Sequence, residues 1–135
     1  MVAVMDVPKS DTGSYGIVTP GSDDGQIFDV SGLVEKPEPA NAPSTIGVVG
    51  RYIIEPGVFT HLTNQDRGAS NEVQLTDALA RQIGKAPFKG LRFSGERFDC
   101  GSKIGFLQAT IAFAMSRDDL AGRLHNWLTN RFPKS

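Results

Sequence analysis

The stretch that decides the fold is "QIFDVSGLVEKPEPANAPSTIGVVGRYII", Gln26 to Ile54. It holds two apolar, extended segments separated by "PEPANAPS", a loop with three prolines in eight residues, which excludes helix. The second segment, "TIGVVGRYII", is β-branched and aromatic-containing, as a buried strand is. The first segment is interrupted by Gly32 and ends on an adjacent acid and base, Glu35 and Lys36, stopped at once by Pro37. As a bare dipeptide, Glu-Lys at a strand end is solvated surface. Any further meaning has to come from the rest of the chain.

Outward from this stretch, strands and helices mix. "MVAVMDVPKS" reads as a chain entered in mid-strand, with Val2, Val4 and Val7 apolar. "DTGSYGIVTPGSDDGQ" sets Ile17 and Val18 among turn residues, which reads as a short strand followed by a turn around Ser22 to Gly25. Pro56 opens a short helix at "PGVFTHL", and "NQDRGASNE" is a polar loop. "EVQLTDALARQI" spaces Val73, Leu75, Leu79 and Ile83 in partly helical fashion, with Gly84 as a stop. "FKGLRF" is a further strand. "SKIGFLQATIAFAMS" is the clearest helix, with Ile104, Leu107, Ile111 and Met115 recurring at three and four behind a Ser102 cap. A last helix, about 118–130, carries Leu120, Leu124, Trp127 and Leu128. The class is α/β.

With 135 residues the chain reads as one domain able to bury its own core. Fourteen basic and fifteen acidic residues balance to a net charge of −1, so no overall field draws in nucleic acid or an anionic membrane. The start lacks a signal-peptide pattern, and no apolar run approaches bilayer length. The single Cys100 cannot form an intrachain disulfide, which fits a cytoplasmic protein.

Four short clusters offer chemistry. In "YGIV", Gly16 is either a turn glycine or a backbone amide open to a sugar. In "VEKP", Glu35 can accept hydrogen bonds from sugar hydroxyls beside an ammonium, Lys36, that can meet a phosphate. "NEVQLTD" places Glu72, Gln74, Thr76 and Asp77 around a helix start, where simple capping is the competing reading. In "RFDCGSK", Asp99 ends a strand, Gly101 permits close approach, and Lys103 begins a helix; one such carboxylate can suffice for Mg²⁺ held partly by substrate phosphates. His61 and His125 fall on the faces of expected helices and read as surface or packing residues. Two histidines and one cysteine do not make a closed zinc site, and Cys100 reads as a small buried residue. No GxGxxG or phosphate-loop motif occurs.

In this order, "YGIV", "VEKP", "APSTIGVVGRYII", "NEVQLTDAL" and "FDCGSKIGFLQATIAFA" resemble the bacterial UTP-glucose-1-phosphate uridylyltransferase family, over nearly the whole chain but over only the second half of that enzyme. The resemblance implies a partial Rossmann-like nucleotidyltransferase fold, the C-terminal half of a mixed sheet with flanking helices. The family's glycine-rich loop, GxGTR followed by PK, has no counterpart here, and neither does one of its metal-binding aspartates. It also implies formation of UDP-glucose and pyrophosphate from UTP and glucose 1-phosphate with Mg²⁺.

Carried over by position, Gly16 contacts glucose through its backbone and Glu35 accepts from glucose hydroxyls. Lys36 neutralises the attacking phosphate and is the catalytic candidate. Val48 lines the sugar pocket through its backbone, Glu72 binds substrate, and Asp99 is a metal ligand. At Glu72 the match is weaker, because Asn71 stands where the family more often has glycine. The reaction implied is in-line displacement without a covalent intermediate. The isolated chain is then expected to be inactive and to self-associate through an exposed sheet edge, as a homo-oligomer or otherwise. Two alternatives remain open at this point: half of another sugar nucleotidyltransferase, of thymidylyl type, or a non-catalytic binding or assembly fragment.

Overall fold

A computed structural model of the chain describes residues 1–22, 25–64 and 72–133. They form two compact units, Met1–Ser94 and Gly95–Ser135. The first unit contains β1 (Val2–Asp6), β2 (Gly16–Pro20), β3 (Ile27–Glu35), β4 (Ile46–Tyr52), helices α1 (Gly57–Thr63) and α2 (Leu75–Ala80), and β5 (Lys89–Arg92). The second contains α3 (Lys103–Met115) and α4 (Asp118–Arg131). A 3₁₀ turn, Lys9–Ser14, joins β1 to β2, where sequence pattern indicated only turn residues.

The five strands close into a ring in the order β1-β4-β2-β3-β5. β4 runs antiparallel to β1, with Val4 opposite Val48, and β5 closes the ring by lying parallel to β1, with Val2 opposite Gly90. The expected free sheet edge is therefore missing among the described strands, because each one has a neighbour on both sides. The strand alternation sends Val2, Val4, Phe28 and Val30 inward, where they join Val18, Leu33, Ile46 and Val48; Val58 of α1 and Ala78 and Leu79 of α2 complete the core. Phe28 fills the space under Gly90, where a Cβ would lie 2.5 Å from its Cζ.

The interruption at Gly32 is a β-bulge. Thr19 lies opposite Gly32 but Pro20 lies opposite Val30, so Ser31 is the extra residue, and its hydroxyl donates to the carbonyls of Thr19 (3.1 Å) and Pro20 (3.3 Å). A side chain at position 32 would crowd Thr19, whose Oγ1 lies 3.0 Å from where the Cβ would be. The bulge changes the phase of the strand. Before it, Phe28 and Val30 are buried; after it, Leu33 is buried and Val34 exposed. Glu35 consequently shares the inward side with Leu33.

Helix α2 is shorter than the apolar spacing suggests. It begins at Leu75, so Val73 lies outside it and is exposed, and it ends at Ala80, before Ile83 makes an isolated bridge with Ala86. In the second unit, α3 starts where its sequence indicates: Ser102 Oγ accepts from the Gly105 N–H at 3.1 Å. Its buried residues are Gly105 and Ala109, while Ile104, Phe106, Leu107 and Phe113 are each more than half exposed. No helix among the described residues is long and apolar enough to cross a membrane.

Candidate functional site

The site is built where β3 ends. Gly16, the first residue of β2, lies opposite Glu35, the last of β3. The Lys36 N–H continues this pairing past the strand by donating to the Tyr15 carbonyl at 3.0 Å. Lys36 then takes φ +43°, the left-handed region that non-glycine residues rarely occupy, and does so directly before a proline, where extended backbone is preferred. In an extended strand, neighbouring side chains point to opposite faces. Here the turn at Lys36 leaves its Nζ 3.9 Å from Glu35 Oε1. The ammonium is well exposed and the carboxylate about three-quarters covered. So long and wet an ion pair adds little stability, and Lys36 is free to exchange its partner for a stronger anion.

The other oxygen of Glu35 is committed. The hydroxyl of Thr76, buried in the first turn of α2, donates to Glu35 Oε2 at 2.6 Å. Gly16 closes the arrangement: a Cβ there would lie 3.3 Å from Glu35 Oε2 and 3.4 Å from Thr76 Oγ1, so only a residue without a side chain leaves the pair undisturbed. From β4, Tyr52 also senses Glu35. Burial first, and the charge of Glu35 second, push its phenol above the ordinary value. The result is a carboxylate with one oxygen tied down, beside an exposed cation and a glycine with no side chain. Such a site can accept hydroxyl hydrogen bonds and meet a phosphate.

Gly16, Glu35 and Lys36 are thus brought together as the sequence indicates. Val48 lies in β4 with its side chain in the core, so its backbone is all that it can offer a ligand. Glu72 is exposed and accepts from Gln74 Nε2 at 3.4 Å within its own segment; Asn71, the departure noted beside it, lies outside the described residues. Thr76 does not cap its helix. The N-cap position is Gln74, without a side-chain cap bond. The signal for Thr76 was present, since it precedes Leu79 by three residues on one face of α2, and a polar residue on an apolar face needs a partner.

Asp99 belongs to the second unit. It does not end a strand, as β5 stops at Arg92. It lies in the turn leading into α3, where its Oδ1 accepts from the Gly101 N–H at 3.2 Å and its carbonyl accepts from Ser102 Oγ at 3.0 Å. The carboxylate is exposed, and no group of three or more His, Cys, Asp or Glu capable of holding a metal occurs among the described residues. Asp99 therefore suits a Mg²⁺ ion only as one ligand among substrate phosphates and groups from elsewhere. Cys100 is exposed rather than buried. His61, on α1, faces the segment after α2, with Nε2 3.0 Å from Gln82 Oε1, in keeping with a packing role. A hollow of about 220 Å³ lined by Met1, Ile53, Val58, Leu79 and Phe88 contains none of the candidate residues.

The family profile described as nucleotidyl transferase matches residues 1–114. The chain belongs to the nucleotidyl transferase family. Among curated proteins, this nucleotidyl transferase chain is 50% identical over 128 residues to a UTP–glucose-1-phosphate uridylyltransferase of Komagataeibacter xylinus, covering 95% of the chain and 43% of that relative. Among solved structures, it is similar to a UDP-glucose pyrophosphorylase complexed with UDP-glucose, with TM-score 0.80 and 34% identity over 86% of this chain and 44% of that one. The chain thus spans less than half the length of the relatives that it matches. A putative glucose-1-phosphate thymidylyltransferase from Bacillus anthracis shares the fold at TM-score 0.63, at only 21% identity.

Proposed function

We propose that this chain is the sugar-phosphate-binding, C-terminal part of a UTP–glucose-1-phosphate uridylyltransferase. The observation that carries the reading is the grouping of Gly16, Glu35 and Lys36 at the β2–β3 end, with Thr76 behind Glu35, in a chain half identical to such an enzyme. The uridylyl reading is favoured over the thymidylyl one because the likeness to the latter supports the fold alone.

In the complete protein, Glu35 accepts hydrogen bonds from glucose hydroxyls and the Gly16 backbone borders the ring. Lys36 neutralises the phosphate of glucose 1-phosphate, whose oxygen forms a bond to the α-phosphorus of UTP while the bond to pyrophosphate breaks. That phosphate is already ionised, so no general base is required; positioning and charge neutralisation supply the rate. Glu72, just before α2, contributes to substrate binding in this reading, and Val48 contributes backbone only. Asp99 is suited to hold Mg²⁺ together with a carboxylate from the remainder of the protein. When bound, that ion supplies charge stabilisation on the phosphates.

The chain alone lacks a glycine-rich phosphate-binding loop, so it is expected to bind sugar phosphate without turnover. Titration calorimetry with glucose 1-phosphate and with UDP-glucose, beside a pyrophosphate-release assay with UTP and Mg²⁺, tests this. Binding without release supports the reading; robust release by the chain alone, or no binding of either compound, overturns it. Self-association of the isolated chain is expected through the exposed apolar side chains of α3 rather than through strand edges, and sedimentation at several concentrations measures it. A cytoplasmic location fits a protein with one exposed thiol and no disulfide, and cell fractionation checks it.

A further inference from the structure

Serine and threonine hydroxyls inside helices ordinarily bond back to the carbonyl four residues earlier. Two threonines of this chain do so: Thr63 Oγ1 donates to the Phe59 carbonyl at 2.9 Å and Thr110 Oγ1 to the Phe106 carbonyl at 2.8 Å. Thr76, in the first turn of α2, bonds elsewhere. It is 7% exposed, and sends its hydroxyl across 41 positions of sequence to Glu35. The bond is short, as a hydroxyl-to-carboxylate bond is. The β-bulge at Ser31 turns Glu35 toward α2, and the bare Gly16 leaves room for the contact.

We propose that Thr76 is a positioning residue for sugar binding: it holds Glu35 Oε2, so that Oε1 is presented in one orientation beside Lys36 to the hydroxyls of the sugar phosphate. This rests on the reading given under Proposed function. The physical reason is entropic. A free glutamate must freeze its rotamers when ligand arrives, whereas one pinned in advance has already done so. Losing the pin weakens sugar binding about three- to ten-fold. A hydroxyl that served packing alone would have no such effect once its volume was kept.

The test compares the full chain with Thr76→Val, Thr76→Ser and Glu35→Gln, using glucose 1-phosphate and UDP-glucose as probes in calorimetry. Carbon-detected NMR of the Glu35 side chain follows its rotamers without ligand, and circular dichroism checks the fold. Expected are three- to ten-fold weaker binding and an averaged Glu35 side chain in Thr76→Val, with both restored in Thr76→Ser. Unchanged binding in Thr76→Val, beside clear loss in Glu35→Gln, overturns the role of Thr76 and leaves the sugar-site reading standing. Equal weakening in the Val and Ser variants also overturns it, since volume rather than the hydroxyl then matters. Wild-type chain that binds neither probe, or Glu35→Gln that binds as wild type, overturns both.

Discussion

Lys36 Nζ lies 3.9 Å from Oε1 of its chain neighbour Glu35, and the left-handed φ of +43° at Lys36 marks where the backbone leaves the alternation that would set the two apart. Two adjacent residues can thereby serve one ligand, a carboxylate for hydroxyls and an ammonium for phosphate. The backbone there is anchored by the Lys36 N–H on Tyr15 and by the buried Pro37.

A left-handed non-glycine residue costs about 1–2 kcal/mol. Replacing Lys36→Gly relieves it at some entropic expense, so stability is expected to rise by roughly 1 kcal/mol, whereas Lys36→Ala keeps the strain. Both variants lose sugar-phosphate binding. Urea unfolding beside calorimetry checks this; a Gly variant no more stable than the Ala variant would show that the conformation is not strained.

Gly16→Ala places a methyl 3.3 Å from Glu35 Oε2 and 3.4 Å from Thr76 Oγ1. Both are side-chain atoms able to shift by a few tenths of an ångström, so stability is expected to fall by less than about 1 kcal/mol. Affinity for UDP-glucose falls more, because the shift displaces the carboxylate. Equal affinity in wild type and variant would mean that no ligand group comes near Gly16.

The phenol of Tyr52 holds its proton more tightly in the fold than in the unfolded chain, through burial and then through the charge of Glu35. The linked stability is fully present below the unfolded value of about 10 and is lost as pH rises through the folded one. Unfolding midpoints should thus decline in the alkaline range, and less so in Tyr52→Phe. In a Tyr15→Phe background, absorbance titration of Tyr52 should move downward on Glu35→Gln. An unmoved titration would place the Glu35 charge out of reach of Tyr52.

Two glycines, one in the strand ring and one in a helix, are expected to behave oppositely on substitution. At Gly90 a Cβ would lie 2.5 Å from Phe28 Cζ, so Gly90→Ala is expected to cost about 1–3 kcal/mol by forcing the ring or β5 outward. At Gly122, inside α4, a Cβ meets nothing within 4 Å, and Gly122→Ala is expected to stabilise by about 1 kcal/mol. Thermal unfolding of the two variants reads both signs; a harmless Gly90→Ala would show that β5 does not seat against Phe28.

Much of the molecule was open to reading before its structure. Proline positions bound the loop after Lys36, alternating valines mark β1, and Ser102 marks the start of α3, because each acts through its own backbone or its near neighbours. The acid–base pair at Glu35 and Lys36 was visible for the same reason. Less visible were the short α2 and the 3₁₀ turn at Lys9–Ser14, where local signals are weak and packing sets the limits.

In the sequence alone, local pattern determined the main elements and the α/β class, and resemblance to a known family singled out Gly16, Glu35 and Lys36 as candidates. Tertiary structure decided the closure of five strands into a ring, the direction in which the bulge at Ser31 turns Glu35, and the pairing of that carboxylate with Thr76. Those features depend on contacts between residues far apart in the chain. Their energies appear only when the strands have closed and the helix has been laid against them.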